Sequence, residues 1–329
     1  MTKECTLYSS LKDQQVQCQA CAHRCLIAPG KSGICGVRRN MNGKLFLTVF
    51  GKVVAKNDDP VEKKPLYHFL PGTKAYSIGT VGCNFACSFC QNYDISQLEE
   101  AYGETVSPLT VVRQAKKLNC QSIAYTYNEP TIFIEFAIAV AKEAKKAGLK
   151  NILVTNGYMT KECFSAFTPF IDAMNIDLKS MQEAFYLKHC KANLAPVLQS
   201  IQLAHKKKIW LEVTTLLIPH ENDSDLELSK IASFISGIDP NIPWHVSRFF
   251  PMFKMTDRYP TEEKHLLHAQ ALGEKVLRYV YTGNLSGEHN SFCPACHHEI
   301  IHRTGYQTDS FLKSGKCPSC HTKITGVWK

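Results

Sequence analysis

No run of about 18 apolar residues occurs in this 329-residue chain, so no membrane span is expected. Nor is a secretory signal expected, because Lys3, Glu4, Lys12 and Asp13 leave no apolar core near the N-terminus. Internal repeats and low-complexity tracts are missing. The first strand-like segment is not followed by a Gly-x-Gly-x-x-Gly turn, so nothing points to dinucleotide binding. Long basic tracts are missing too, although the formal net charge is +9. Arg38-Arg39, Lys145-Lys146 and Lys206-Lys207-Lys208 are small clusters of the kind that mostly form solvated faces. A minority of such clusters attract an acidic partner or nucleic acid.

What the chain has in excess is cysteine. There are 15, an odd number. Cys5, Cys120, Cys163 and Cys190 stand alone and read as small buried apolar residues. The other eleven, 15 less these four, fall in short-spaced groups. With no secretion signal expected, that grouping argues for metal ligation in a reducing cytoplasm rather than for disulfides.

The most informative group is Cys83-Asn-Phe-Ala-Cys87-Ser-Phe-Cys90. Three thiolates at this spacing suit one face of a cubane [4Fe–4S] cluster, and a cluster held by cysteine alone takes four. The missing ligand leaves one iron open for chemistry. A partial zinc site is the alternative, but zinc favours Cys-x2-Cys pairs. The stretch, with Gly79-Thr80-Val81-Gly82 before it and Gln91-Asn92-Tyr93 after, resembles the signature of radical S-adenosylmethionine (SAM) enzymes. The resemblance implies that SAM caps the open iron. It also implies that the reduced cluster cleaves SAM to methionine and a 5′-deoxyadenosyl radical, with Phe89 against the adenine.

Between about residues 73 and 282, strand-like and helix-like patterns alternate as six units. The predicted strands are 75–79, 122–127, 151–155, 172–178, 209–217 and 244–249. Their helices lie near 108–118, 131–147, 160–167, 194–205, from Ser224, and 261–279. Ser224 with Glu227 three residues on reads as a capping box. Six consecutive βα units imply a parallel sheet with right-handed crossovers. A doubly wound sheet is the generic alternative. The resemblance decides for a partial (β/α)6 barrel of the radical SAM type, in an α/β chain with chemistry at the C-terminal strand ends.

Polar residues mark those strand ends. Tyr127-Asn128-Glu129-Pro130 is similar to the family's Gly-Gly-Glu-Pro, which implies that Asn128 and Glu129 meet the SAM amino group. The plain reading is a helix cap with Pro130 in the first turn. Thr155-Asn156-Gly157 and Asp177-Leu178-Lys179 resemble motifs of glycyl-radical-enzyme activases. That implies ribose or carboxylate contacts from Asn156, Asp177 and Lys179. In Trp244-His245-Val246-Ser247-Arg248, either His245 or Arg248 would reach SAM.

Both ends carry further cysteine groups. Cys293-x2-Cys296 and Cys317-x2-Cys320 have zinc-ribbon spacing, with an iron–sulfur cluster as the other reading. Cys18-x2-Cys21-x3-Cys25-x9-Cys35 also reads as metal-binding, to a structural zinc or to an auxiliary cluster. The expected organisation is a cysteine-rich module over 1–72, a radical SAM core over 73–282 and a zinc-ribbon-like module over 283–329.

Nearly the whole chain resembles the radical SAM protein of the AmmeMemoRadiSam system, a subgroup similar to pyruvate formate-lyase activating enzymes. The resemblance rests on Cys35-Gly36-Val37-Arg38, on residues 59–68, on the cluster loop, on Ser247-Arg248-Phe249-Phe250-Pro251 and on Gly326-Val327-Trp328. It implies a cytoplasmic oxidoreductase that draws electrons from a flavodoxin or ferredoxin and associates with Memo-type and AMMECR-type proteins. Hydrogen abstraction from a protein is the leading expectation. Radical modification of RNA or of a small molecule is the second, and a non-catalytic metal-binding scaffold the third.

Overall fold

The computed structural model describes residues 2–98 and 100–328. At its centre lies an eight-stranded sheet: β1 (Ala55–Pro60), β2 (Lys74–Gly79), β3 (Ser122–Tyr125), β4 (Lys150–Thr155), β5 (Ala173–Asp177), β6 (Trp210–Leu217), β7 (Trp244–Arg248) and β8 (Val280–Gly283), in that spatial order. β1 is antiparallel to β2, and β2 to β8 are mutually parallel. Between successive parallel strands run α1 (Pro108–Lys117), α2 (Ile134–Lys146), α3 (Lys161–Phe167), α4 (Ala195–Lys206), α5 (Asp225–Ile238) and α6 (Glu263–Gly273). The strand order never reverses. Right-handed crossovers therefore carry every helix to the same face, and the sheet curls as an open barrel. A doubly wound sheet would require a reversal.

The six βα units stand where sequence periodicity puts them, because the local signals are strong. The Ser107 hydroxyl accepts from the Thr110 amide at 3.1 Å and Pro108 opens α1. Thr160 caps α3 through the Cys163 amide at 3.1 Å. The capping box at α5 forms only half. Ser224 caps the helix, but the buried Glu227 carboxylate turns inward to take the Met181 amide at 2.6 Å and the Ser180 hydroxyl. It fastens the loop after β5 instead of its own helix.

Two strands are additions to the expected six. β1 lies in the stretch read as a polar connection, and its pairing with β2 is a long-range event. β8 follows the final helix, which ends at Gly273 rather than at Tyr279. There the helix presses on Trp244: a Cβ on Gly273 would lie 2.8 Å from the indole. The following Val280-Tyr281-Thr282 is β-branched and aromatic, and it pairs with β7.

The N-terminal segment forms two small antiparallel sheets, Lys3–Glu4 with Lys44–Leu47 and Arg38–Met41, and Tyr8–Ser10 with Val16–Cys18 and Leu26–Ile27. Arg38 docks it to the barrel. Its guanidinium meets both Glu135 oxygens on α2 at 2.8 Å, with side-chain exposures of 2% and 4%. Burial pushes the Glu135 carboxyl up, but Arg38 holds it below its ordinary value. Arg38→Ala is expected to cost about 3–5 kcal/mol in denaturant unfolding, because it strands a buried charge. Since the folded carboxyl titrates below the unfolded value of 4.5, the pair's stabilisation is full above that pH and fades as pH falls below it.

The C-terminal module is a three-stranded antiparallel sheet, Ser291–Phe292, Glu299–Thr304 and Gln307–Ser310, followed by a cysteine knuckle. It is tied to the barrel by backbone. Leu70 N–H donates to Val327 O, and Val327 N–H to His68 O, each at 2.7 Å. The buried Arg303 guanidinium donates to Tyr67 O at 2.6 Å and lies 4.3 Å over the Tyr67 ring.

Candidate radical SAM site

The loop after β2 carries the three cysteines. It turns at Gly82, where φ is +85° and a Cβ would collide with the Cys35 carbonyl oxygen. Only glycine fits this approach. Asn128 clamps the turn: its amide nitrogen donates to Thr80 Oγ1 and to Gly82 O at 2.9 Å each. Phe85 N–H donates to Cys83 Sγ at 3.4 Å, and Cys90 Sγ lies 3.1 Å from Ser96 Oγ.

The three thiols open into a cavity of about 450 Å³ at the C-terminal strand ends. Of the residues expected there, Phe89, Asn128, Asn156, Asp177, Lys179 and His245 all line it. Lys179 Nζ pairs with Asp177 at 2.9 Å and lies 5.6 Å over the Phe89 ring. Asn156 uses its amide on its neighbours, donating to Asn84 Oδ1 at 2.8 Å and accepting from the Tyr158 amide at 3.0 Å.

Glu129 is the exception. It is 1% exposed and is not among the residues lining the cavity. Its carboxylate takes the Thr131 amide and hydroxyl, the Thr155 hydroxyl and the Asn156 amide, at 2.6–3.0 Å. It acts as a helix cap that also ties β3 to β4, with three of these donors on Oε1 and the Asn156 amide on Oε2.

The structure also separates His245 from Arg248. His245 faces the cavity. Arg248 turns away, donating from Nε to Thr261 O at 2.7 Å and stacking on Phe250. Behind His245 lies Glu212, which sequence reasoning missed. Glu212 is fully buried and accepts from His245 Nε2 at 2.6 Å, the Trp210 indole at 2.9 Å, and the Tyr67 and His68 amides at 2.9 and 2.8 Å. Burial pushes its carboxyl up, but His245, His68 and the Tyr67 amide together hold it below its ordinary value. A lone carboxylate in the apolar run of β6 was the available signal.

Cys190 was likewise underread. It lies against the cluster loop, where its carbonyl accepts the Ala86 amide at 3.1 Å. Cys190, with Lys179 beyond it, holds the Cys87 thiol below its ordinary value against burial. Burial raises the Cys83 and Cys90 thiols.

The family model for the radical SAM superfamily matches residues 77–230, which span β3 to β6 and the whole cluster loop. An uncharacterized protein of Methanocaldococcus jannaschii is 40% identical over 331 residues, covering 98% of this chain and 98% of its own length. The chain belongs to the radical SAM superfamily. A pyruvate formate-lyase-activating enzyme of Listeria monocytogenes is 22% identical over 218 residues, 60% of this chain and 86% of its own. A solved radical SAM methyltransferase from Sphaerobacter thermophilus shares the fold, with TM-score 0.52 and 12% identity over 65% of this chain and 67% of that one.

The radical SAM family implies a [4Fe–4S] cluster and SAM, and the residues fit both. Three thiols from one loop face a cavity within the roughly 300–1,000 Å³ range of small-ligand sites. The side-chain nitrogen of Asn84, beside Cys83, is buried without a hydrogen-bond partner. At the C-terminus, Cys293, Cys296, Cys317 and Cys320 have sulfurs within 4.8 Å of one another and could hold a metal ion. No helix among the described residues is long and apolar enough to cross a membrane.

Proposed function

We propose that this chain is a cytoplasmic oxidoreductase that uses a radical generated from SAM to abstract hydrogen from a protein substrate. The observation that carries the reading is the convergence of Cys83, Cys87 and Cys90 on one cavity with Phe89, Asp177 and Lys179. When bound, the reduced [4Fe–4S] cluster supplies the electron that cleaves SAM to methionine and a 5′-deoxyadenosyl radical. The chain's own residues bind and orient. Lys179 offers a point charge to the SAM carboxylate, Asp177 an acceptor to the ribose, and Phe89 an apolar face to the adenine.

The far wall, built by Tyr67, His245 and Tyr306, would meet the substrate. The wall lysines argue against nucleic acid. Lys63 and Lys64 both pair with Asp59, at 3.0 and 2.6 Å. Burial pushes the Asp59 carboxyl up, yet Lys64 and Lys63 draw it down to about 2. Paired cations attract phosphates weakly. A flavodoxin or ferredoxin as electron donor, a glycyl-radical-type protein as substrate, and Memo-type and AMMECR-type partners complete the reading.

The C-terminal cysteines are assigned to zinc. Zinc–thiolate bonds of about 2.3 Å in a tetrahedron put sulfurs about 3.8 Å apart. The Cys293–Cys320 and Cys296–Cys317 sulfurs lie at 3.6 and 3.7 Å.

The test incubates anaerobic, reduced protein with SAM and candidate substrates carrying deuterium. Label appearing in 5′-deoxyadenosine identifies the donor. No 5′-deoxyadenosine under any condition would refute the reading. A second measurement concerns the pocket. Lys179→Met and Asp177→Asn are each expected to weaken SAM binding roughly ten- to a hundredfold, the loss of one charge-assisted contact of about 1.5–3 kcal/mol. Iron content should not change, because neither side chain is a ligand. Unaltered SAM affinity in both variants would move the SAM pocket elsewhere.

A further inference from the structure

Cys18, Cys21, Cys25 and Cys35 surround a small closed cavity whose remaining wall includes Arg38 and Ile132. Three of these cysteines are buried and Cys25 is half-buried. Arg38 is 2% exposed, and its Nε is buried without a hydrogen-bond partner. A bare, charged N–H at such a cavity asks for an anionic acceptor that the protein does not supply.

The spacing of the sulfurs bears on which metal group sits there. Among the described residues, the C-terminal cysteines form the one group whose ligand atoms all lie within 4.8 Å. No three of the N-terminal sulfurs are that close, and neither are those of Cys83, Cys87 and Cys90. A cubane spreads its thiolates over separate iron corners, whereas a single ion draws them together. The N-terminal set has the wide spacing of the barrel set, not the tight spacing of the ribbon.

The site touches the cluster loop. The Cys35 carbonyl abuts Gly82, so the Cys35 and Cys83 Cα atoms lie within about 10 Å of each other. His23, two residues from both Cys21 and Cys25, has Nε2 2.8 Å from Asn84 O, next to Cys83. The opposite side faces solvent. Leu26 and Ile34, beside Cys25 and Cys35, are 66% and 62% exposed. Lys31 and Arg39 are exposed nearby, and no acidic residue occurs between 18 and 44. Arg24 pairs with Glu162 at 2.8 Å, which leaves Lys31 and Arg39 as the basic residues beside the exposed apolar pair, a surface that fits an acidic partner.

We infer that Cys18, Cys21, Cys25 and Cys35 hold a second cubane iron–sulfur cluster that relays electrons from an acidic donor protein to the barrel cluster. One electron leaves the reduced donor and reduces the N-terminal cluster. The same electron then passes through the Cys35–Gly82 and His23–Asn84 contacts to the cluster at Cys83, Cys87 and Cys90, and no bond is made or broken. The cluster assignment stands independently of the proposed reaction; only the relay role rests on it.

The experiment uses the full chain, purified and reconstituted without oxygen. Wild type should hold roughly eight irons, two cubanes. With all three of Cys83, Cys87 and Cys90 changed to alanine, roughly four irons should remain. Their reduced paramagnetic signal should not respond to SAM. The Cys21→Ala/Cys35→Ala variant should keep the SAM-responsive signal alone. Wild type with about four irons and two zincs would overturn the assignment, even if the variants fail to fold. For the relay, Leu26→Glu/Ile34→Glu should slow cluster reduction by reduced flavodoxin about tenfold or more, while dithionite reduction stays unchanged. Equal slowing with both reductants, or none with flavodoxin, would overturn the docking face. Because iron counts and reduction rates do not require SAM cleavage, they fail separately from the proposed reaction.

Discussion

Alanine at Cys83 or at Cys90 is expected to abolish release of 5′-deoxyadenosine from SAM, with iron falling by the share of the barrel cluster. The cluster needs three protein thiolates and one open iron, and losing either ligand leaves a cubane that cannot be held in register with the cavity. Cys87 needs separate handling. Because Cys190 packs against the cluster loop, its carbonyl taking the Ala86 amide at 3.1 Å, its thiol is a candidate substitute ligand in Cys87→Ala. Residual iron is therefore expected in Cys87→Ala, and none from this cluster in Cys87→Ala/Cys190→Ala. The measurement pairs 5′-deoxyadenosine yield with iron content in the four variants. Wild-type yield from Cys83→Ala or Cys90→Ala would end the radical SAM assignment of this loop.

The second large effect concerns the C-terminal knuckle. Cys317→Ser should abolish metal binding there and open the segment after residue 283 to proteolysis. Metal binding in such modules is worth about 10–16 kcal/mol at neutral pH, and here the knuckle has little core of its own. The damage should not stop at the module. Arg303 and the Val327 backbone hold Tyr67 to Leu70, and the Tyr67 and His68 amides are partners of Glu212 behind His245. Losing the metal should therefore loosen the cavity's far wall as well. Metal analysis, limited proteolysis and SAM affinity measured together test this. A variant that loses the metal yet stays protease-resistant would show the module to be held by packing alone.

The cluster loop and the six βα units were readable because each is a local event. Three cysteines within eight residues, a Ser or Thr cap before a helix, and an apolar face of period 3.6 need no knowledge of distant neighbours. The paired spacing at the C-terminus is local in the same sense. Phe89, Asp177 and Lys179 could be assigned to the cavity because a parallel barrel brings its strand ends to one rim.

What the tertiary structure decided are the partnerships. Glu129 is an internal tie because β4 delivers Thr155 and the Asn156 amide beside it. His245 rather than Arg248 faces the cavity because β7 is flanked by β6, which brings Glu212 behind it. Edge strand β1, closing strand β8 and the seating of the N-terminal cysteines against Gly82 all depend on segments far apart in sequence. Motif spacing is set by bonds between neighbouring residues, so the sequence alone determined the family and the chemistry. Which polar groups are satisfied, and which remain free to act, depends on contacts that form only when the chain closes on itself.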